Sequence, residues 1–545
     1  MKTPPLSPML KGSEQRLLRG YGPVACAAVV FLAVALLAPT VAPQRFVTTT
    51  SGGSGQGSSG PGAGSSSSLS NRGLGASGVP TIPGLGIAKG CPGLQVPNDS
   101  YSPPCTSWSG GNNGGATSQG VTNKTITLAL RKTDIMDLAA LISALTGQHE
   151  QSASPDDVIR TYQVLTEYFN RHFQFYGRKL VIKVYGGKGS PADEALGGGQ
   201  ANAQADAITE SQQLHAFADV SIAVPLFSEA LISQHVISIN PAYPSAAWFA
   251  RHAPYAWGIW PDCTTVARTV IDFALKYLKG KPAVYAGGAL KGQTRKVGLI
   301  FPDAPVYADC GTLIKTTLAS AGMPIADARS YTLDFSTLQQ DAQSNVNAFS
   351  SEGITTVLDL TDPVSTFFMT NYASQANWTP EWVEGQIGYV DTDWGAQLFN
   401  QAEWSHAFGP SSLGRPQPAR ATFGYDAYKS ISPGSVPAEF SVSLIYQYLD
   451  LMAIGIQMAG PNLTPQTFGA GLEAYKSPGA GPQGRWAFPP GSYTAPQDVR
   501  IIWWDPNAIS LYNGAQGAYV DNGRRYPVGG FPTGSPPIFP NGMGP

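Results

Sequence analysis

Short apolar runs alternate with amphipathic segments from about residue 122 onward. The first run, residues 125–130, is uncharged and short enough to be a buried strand. After it, Ser154 and Pro155 form a helix start, and apolar residues recur at helical spacing until Gly177. The pattern therefore predicts a buried strand followed by an amphipathic helix.

The alternation continues through two comparable stretches of chain. The first stretch has further strands predicted at residues 179–185, 218–224 and 235–239, with helices at 192–213 and from 228. The second has helices predicted at 263–278, 308–321, 337–351 and 363–375, and strands at 296–301, 328–333, 355–360 and 381–385. Repeated strand–helix units predict parallel sheets covered by helices, so the fold class is α/β with two Rossmann-like lobes.

The remaining pattern predicts helices at residues 440–459 and 465–476 and a strand at 499–504. A hairpin near Tyr519 would use Asn522-Gly523 as its turn, because this dipeptide suits the positive φ angles of tight hairpins. Residues 529–545 are a Gly/Pro-rich tail and are expected to be disordered.

The N-terminal region predicts export. Four basic residues in segment 1–20 precede a nearly uncharged run, residues 21–43, which is long enough to cross a bilayer core. This run is either an uncleaved transmembrane anchor or a signal peptide cut after Thr40-Val41-Ala42, and Pro43 disfavours cutting. Residues 44–118 are rich in Gly, Ser and Pro and predict a flexible stalk. The expected location is the extracytoplasmic face of the cell membrane, or outside the cell.

Cysteine usage fits an oxidising compartment. Outside the apolar run the chain has Cys91, Cys105, Cys263 and Cys310. These four residues most simply form two disulfides, Cys91 with Cys105 and Cys263 with Cys310, and the alternative is four buried thiols.

Charge and motif content argue against several function classes. Lys and Arg total 34 against 36 for Asp and Glu, so no strong positive field attracts nucleic acid. The six histidines have no metal-ligand spacing, and no nucleophile elbow or intact phosphate-binding loop occurs. We therefore predict a protein that is not an enzyme and uses neither a cofactor nor a metal.

Several local stretches, in order and spacing, resemble the type I periplasmic binding proteins, in particular the leucine/isoleucine/valine-binding group that serves ABC transporters. They are residues 179–185, residues 236–243, residues 296–301 with Tyr307, and residues 501–506. The resemblance covers about residues 122–528. It implies lobe one at 122–257 plus 389–475 and lobe two at 258–388 plus 476–528, with three crossovers as hinges and the ligand held between the lobes.

The same resemblance implies a ligand-binding set. Its members are Phe227, Ser228, Asn240, Ala242 and Tyr243 from lobe one, and Tyr307, Asp362, Glu384 and Gln386 from lobe two. Ser228 and Asp362 fit equally well as helix caps, and Tyr243 as a packed aromatic. Glu384 and Gln386 are rival candidates for the position that pairs with a ligand ammonium, and Gln386 there would favour an amide-like or hydroxylated solute.

Arg131 and Lys132 follow the first strand. They would either attract an anionic ligand or, as we expect, lie as solvated charges on the surface.

The predicted function is capture of a small polar solute, an amino acid or an amide-like compound, for an ABC permease. A membrane-anchored sensor or adhesion module of the same fold is the alternative, since sequence alone does not separate them.

Overall fold

Strands from the first half of the protein form a parallel five-stranded sheet. The computed structural model describes residues 92–136, 153–222, 224–239 and 241–540. The strands are β1 (Thr125–Lys132), β2 (Lys179–Gly186), β3 (Ala218–Asp219), β4 (Ile237–Ile239) and β5 (Ala256–Trp257). Their order is β2-β1-β3-β4-β5, and every neighbouring pair is parallel.

Helices from two separate parts of the chain belong to this first lobe. The early ones are α1 (Pro155–His172), α2 (Pro191–Ala195), α3 (Gln200–Ile208), α4 (Pro225–Ser233) and α5 (Ala246–His252). A later group is α12 (Phe423–Ile431), α13 (Val442–Ala459) and α14 (Pro465–Ala474), of which α12 and α13 pack against α1.

The second lobe contains a mixed seven-stranded sheet. Its strands are β6 (Val297–Pro302), β7 (Asp327–Tyr331), β8 (Thr356–Asp359), β9 (Glu381–Glu384), β10 (Ala407–Ser411), β13 (Asp498–Ile509) and β14 (Gln516–Pro527). The order is β14-β13-β10-β9-β8-β6-β7, and β13 runs antiparallel to both of its neighbours, β10 and β14, while the other pairs are parallel. Its helices are α6 (Cys263–Phe273), α7 (Pro305–Ser320), α8 (Phe335–Ser351), α9 (Pro363–Gln375), α10 (Asp393–Ala396) and α11 (Gln401–Trp404).

Helix α1 shows how local chemistry sets an element. The Ser154 side chain accepts a hydrogen bond from the Asp157 backbone N–H, Pro155 occupies the first turn, and Asp156 adds a negative charge there. Val158 and Phe169 are fully buried, and the Phe169 ring lies 5.0 Å from the Tyr446 ring of α13. The predicted helix is confirmed.

The chain passes between the lobes three times, through residues 258–262, 412–422 and 475–497. The first and third crossovers lie side by side, because Gly258 pairs with Thr494 and Asp262 accepts a hydrogen bond of 2.8 Å from the Thr494 hydroxyl. Strands β11 (Lys476–Gly481) and β12 (Gly484–Ala487) form a small hairpin within the third crossover. The observed architecture is α/β with two Rossmann-like lobes joined by several crossovers.

The sheet topology differs from the sequence-based boundaries in one place. Strand β10 pairs with β9 and β13 in the second sheet, although it falls within the stretch 389–475 assigned to lobe one. Residues 389–411 therefore lie with lobe two, and the chain crosses after Ser411.

Two sequence predictions about turns and helices were wrong. The turn between β13 and β14 spans residues 510–515, whereas Gly523 lies inside β14 with φ 77°, beside a shift in strand register. A single helix over residues 192–213 was also expected. The structure has α2 and α3 separated by residues 196–199, because Gly197 and Gly199 both adopt positive φ.

The described part of the predicted stalk is ordered and packs on the lobes. The Tyr101 ring stacks on Trp486 with centroids 3.8 Å apart, and the Tyr446 hydroxyl donates to Asp99 at 2.6 Å. The tail after β14 is likewise packed, since Phe531 and Phe539 are buried. The prediction of disorder from Gly, Ser and Pro content was therefore wrong for the described parts of both segments, because a few aromatic side chains anchor them.

One predicted disulfide is confirmed, between Cys263 at the start of α6 and Cys310 in α7. Cys105 is also disulfide-bonded, while Cys91 lies outside the described residues. The predicted anchor at residues 21–43 is outside them too. Within the described chain, α13 is the one helix long and apolar enough to span a bilayer, and 83% of it is buried inside the protein.

Candidate functional site

Loops that leave the strands of the two lobes touch each other across a crevice. The Tyr307 hydroxyl, in the first turn of α7 after β6, donates to the Ala242 carbonyl at 3.0 Å in the loop after β4. Next to it, the Ser245 backbone N–H donates to the Val306 carbonyl at 3.0 Å. Both contacts join lobe one to lobe two, so the crevice is closed at this point.

Tyr243 makes a further contact across the same crevice. Its ring is buried, which raises the pKa of its hydroxyl, and the nearby backbone N–H groups of Gly388 and Tyr389 in lobe two partly offset that rise. Tyr243, Gln386 and Tyr389 have φ angles of 58°, 61° and 73°, in the left-handed region that non-glycine residues rarely adopt. Such backbone strain is retained where the surroundings hold it, as in ligand-binding loops.

Glu384 and Gln386 are buried at the end of β9. Glu384 accepts a hydrogen bond of 2.9 Å from the Gln386 backbone N–H. Burial, reinforced by nearby Asp391, raises the pKa of Glu384 well above its usual value, which disfavours the charged form of its carboxyl. The side-chain carbonyl of Gln386 accepts a hydrogen bond of 2.7 Å from the Ser412 backbone N–H. The side-chain amide nitrogen of Gln386 lacks a hydrogen-bond partner in the described structure.

The other predicted site residues have structural contacts. Phe227 is fully buried beneath the Arg131 guanidinium, Ser228 is hydrogen-bonded to Ser238 at 2.9 Å, and Asp362 caps α9 and accepts from Tyr331 at 2.7 Å. Asn240 lies outside the described residues. The structure thus brings Ala242, Tyr243 and Tyr307 together, with Gln386 near the second crossover.

Arg131 is not a surface charge, in contrast to the expectation from sequence. Its guanidinium is bidentate to Glu194, with both N–O distances 2.8 Å, and lies 3.5 Å above the Phe227 ring. The side chain is 1% exposed, because Glu194 and Asp206 neutralise it inside lobe one. By contrast, Lys132 is partly exposed and pairs with Asp156.

A cavity of about 740 Å³ lies between the lobes beside the second crossover. Its walls include Leu413 from that crossover, Phe440 and Gln447 from lobe one, and Trp394 and Arg500 from lobe two. Its volume is typical of a small-molecule site. None of the residues predicted from sequence lines it.

Sequence reasoning missed this cavity because its walls come from many separate parts of the chain, between Ser100 and Arg525. The only local signal was the density of aromatic residues near positions 389–394 and 512, which individually fit a core equally well. In the part of the chain that the structure describes, no cluster of three or more His, Cys, Asp or Glu side chains could hold a metal ion.

Comparisons with known proteins agree with the fold. Scans against protein-family models and against curated proteins find no match. Among solved structures, an ABC transporter substrate-binding protein from Aeropyrum pernix superposes with a TM-score of 0.51 and 13% identity, covering 74% of this chain and 96% of the other.

Two further structures match at the same level. A solute-binding protein of an ABC transporter from Rhodopseudomonas palustris, in complex with 3,4-dihydroxybenzoic acid, superposes with a TM-score of 0.51 and 12% identity. The match covers 74% of this chain and 98% of the other. A fatty acid ABC transporter substrate-binding protein from Thermomonospora curvata superposes with a TM-score of 0.50 and 15% identity, covering 78% of this chain and 100% of the other. With its two α/β lobes and three crossovers, the chain therefore has the fold of the type I periplasmic binding proteins.

Proposed function

We propose that this protein is an extracytoplasmic solute-binding protein that captures a small polar solute between its lobes and delivers it to an ABC permease. The observation that carries the proposal is the pair of hydrogen bonds across the crevice, Tyr307 to Ala242 and Ser245 to Val306. A protein whose strand-end loops meet in this way can close around a solute through its crossovers. The proposed role is binding without catalysis.

The solute proposed for the crevice is amide-like rather than a zwitterionic amino acid. An ammonium group needs a charged carboxylate beside it, whereas Glu384 is fully buried, and this burial raises its pKa and disfavours the charged form. The Gln386 amide nitrogen, which lacks a partner within the described residues, would donate to a carbonyl or hydroxyl instead. The similar solved structures bind unlike ligands, so their ligands do not select one here.

The test is a thermal-shift panel on the purified full chain. Uncharged amides should raise the melting temperature more than the matching amino acids, because ligand binding stabilises the folded state by mass action. Stabilisation by amino acids alone would contradict the amide assignment. An unchanged melting temperature with all amides, amino acids and small carboxylates would contradict solute capture in the crevice.

The variant Tyr307→Phe removes the hydroxyl that bonds to the Ala242 carbonyl across the lobes. We expect solute affinity to fall about three- to tenfold, since one hydrogen bond of the closed form is worth about 1 kcal/mol. Tyr372→Phe is the matched control, because the Tyr372 hydroxyl bonds to Gln339 within lobe two. Titration calorimetry measures both, and equal affinities in the two variants would show that crevice closure does not assist binding.

A further inference from the structure

A row of aromatic rings runs along the cavity beside the second crossover. Trp260, Tyr389, Trp394, Phe440 and Tyr512, here called the aromatic row, all line it. Successive ring centroids are 4.5, 6.1, 5.4 and 6.0 Å apart. The row starts in the first crossover, passes through lobe two, reaches lobe one at Phe440 and returns to lobe two in the β13–β14 turn.

Polar side chains with unmet hydrogen-bonding capacity line the same cavity. The carbonyl oxygens of Gln447 and Gln483 and the Nε of Arg500 are buried without a partner among the described residues. These three side chains are 95% or more buried as residues. Since each unmet group costs about 1–3 kcal/mol, a ligand that both donates and accepts hydrogen bonds would be favoured there.

The charges around the cavity already compensate each other. Four arginines and five acidic residues line it. Arg415 and Arg500 both pair with Asp521 at 2.8 Å, and Arg525 pairs with Asp498 at 3.0 Å. Neither a strongly anionic nor a strongly cationic ligand finds an excess of opposite charge, so the lining fits an uncharged ligand.

We infer that this cavity is a second binding site, separate from the crevice, and that it takes an uncharged, hydroxyl-rich ligand of the carbohydrate class. Hydroxyl groups both donate and accept, which suits the two glutamine carbonyls and the Arg500 Nε together. The apolar faces of sugar rings pack on the aromatic row, whose rings offer apolar surface with polar groups placed around it. Tyr389 adjoins the crevice as well, but Ala242, Tyr243, Tyr307 and Gln386 do not line this cavity, so the inference goes beyond the proposed function.

The cavity lies where such a ligand would affect the lobes. It is bounded by the second crossover through Leu413 and by side chains of both lobes. A ligand that contacts Phe440 in lobe one and Trp394 in lobe two therefore bridges the lobes at the hinge side. Binding there is expected to stabilise one lobe arrangement.

The experiment titrates the purified full chain with glucose, maltose and trehalose by calorimetry and by tryptophan fluorescence. Glucuronate, glucosamine and a medium-chain fatty acid serve as the charged and apolar alternatives. We expect at least one neutral sugar to bind and to change tryptophan emission, because Trp260 and Trp394 line the site. Tighter binding of the charged sugars or of the fatty acid, or no sugar binding at all, would overturn the inference.

Near-isosteric variants locate the site. Gln447→Met and Gln483→Met keep side-chain volume and should each weaken sugar binding about tenfold, which corresponds to about 1.4 kcal/mol. Gln293→Met, at an exposed position, is the control. Sugar binding that is unchanged in both cavity variants would place the sugar elsewhere and refute the assignment.

Tyr307→Phe separates this inference from the proposed function. It should weaken binding of a crevice solute while sugar affinity stays within about twofold. Sugar binding without any crevice solute would support the second site and count against the crevice proposal alone. Binding of a crevice solute without any sugar binding would support the crevice proposal and refute the second site.

Discussion

At the scale of single residues, buried charge is the feature with the clearest consequences. Arg131 and Glu194 form a bidentate pair whose side chains are 1% and 0% exposed. A sequence that places an arginine directly after a strand gives no sign of this burial, because its partners come from α2 and α3. The ion pair therefore depends on the tertiary fold.

Glu194→Gln should destabilise lobe one by about 3–5 kcal/mol, because it leaves the Arg131 charge buried without its main partner. Urea unfolding monitored by circular dichroism measures the loss. Asp156→Asn is the matched control, since it breaks the exposed pair with Lys132 and should cost less than about 1 kcal/mol. A similar small loss in both variants would show that Arg131 is not held by charge pairing.

Asp450 in α13 predicts a pH dependence of stability. Burial and the nearby carboxyl of Asp99 raise its pKa well above the usual value, and neither oxygen has a hydrogen-bond partner within the described residues. The folded state therefore binds a proton that the unfolded state releases, so the stabilising contribution is present at low pH and declines as pH rises from about 4.

Asp450→Asn removes this titration and keeps the shape of the side chain. We expect the melting temperature of the variant to exceed that of the parent at pH 8 by more than it does at pH 5. Asp309→Asn, at an exposed position, controls for a general charge effect. A difference that is constant with pH would show that Asp450 does not titrate in this range.

At the scale of elements, close packing of α13 on α14 depends on glycine. A Cβ on Gly471 would lie 2.7 Å from the Ala459 backbone nitrogen and 2.8 Å from the Met458 carbonyl carbon. Since backbone atoms cannot move aside as a side chain does, the two helices would have to separate.

Gly471→Ala should therefore destabilise the protein by about 1–3 kcal/mol, although alanine normally favours a helix. Chemical denaturation measures the change. In the control Gly479→Ala, the added Cβ meets nothing within 4 Å, and a change within about 0.5 kcal/mol is expected. Equal effects of the two substitutions would mean that the helices tolerate a wider spacing.

At the scale of the whole molecule, the segment before β1 ties lobe one to the third crossover. Tyr101 stacks on Trp486, and its hydroxyl accepts a hydrogen bond of 2.7 Å from the Gln483 backbone N–H. Asp99 meanwhile binds Tyr446 in α13. This segment is thus part of the folded unit.

A truncated chain that starts at Ser118 should melt at least about 5 °C below one that starts at Gly78 and so keeps residues 92–117. The expected cause is the loss of the buried Tyr101 contacts, since removing a buried aromatic side chain costs about 3–5 kcal/mol. Differential scanning calorimetry makes the comparison. Equal melting temperatures would show that residues 92–117 pack without contributing stability.

The sequence by itself determined the features of this protein that depend on residues close together in the chain. Alternating apolar runs, the Ser154 cap and the spacing of strands and helices gave the α/β class with parallel sheets, and the number of cysteines suggested the Cys263–Cys310 bond. These features depend on side-chain periodicity and short-range geometry, which are visible in a single chain.

Only the tertiary structure decided which distant residues meet. Strand β10 joined the second sheet, Arg131 was buried by acids from two helices, and five aromatic rings from four segments came together around one cavity. Of the predicted site, Ala242, Tyr243 and Tyr307 converged, while Glu384 is fully buried, which raises its pKa. Such contacts depend on how whole elements pack, and burial then sets the charge state of the groups they enclose.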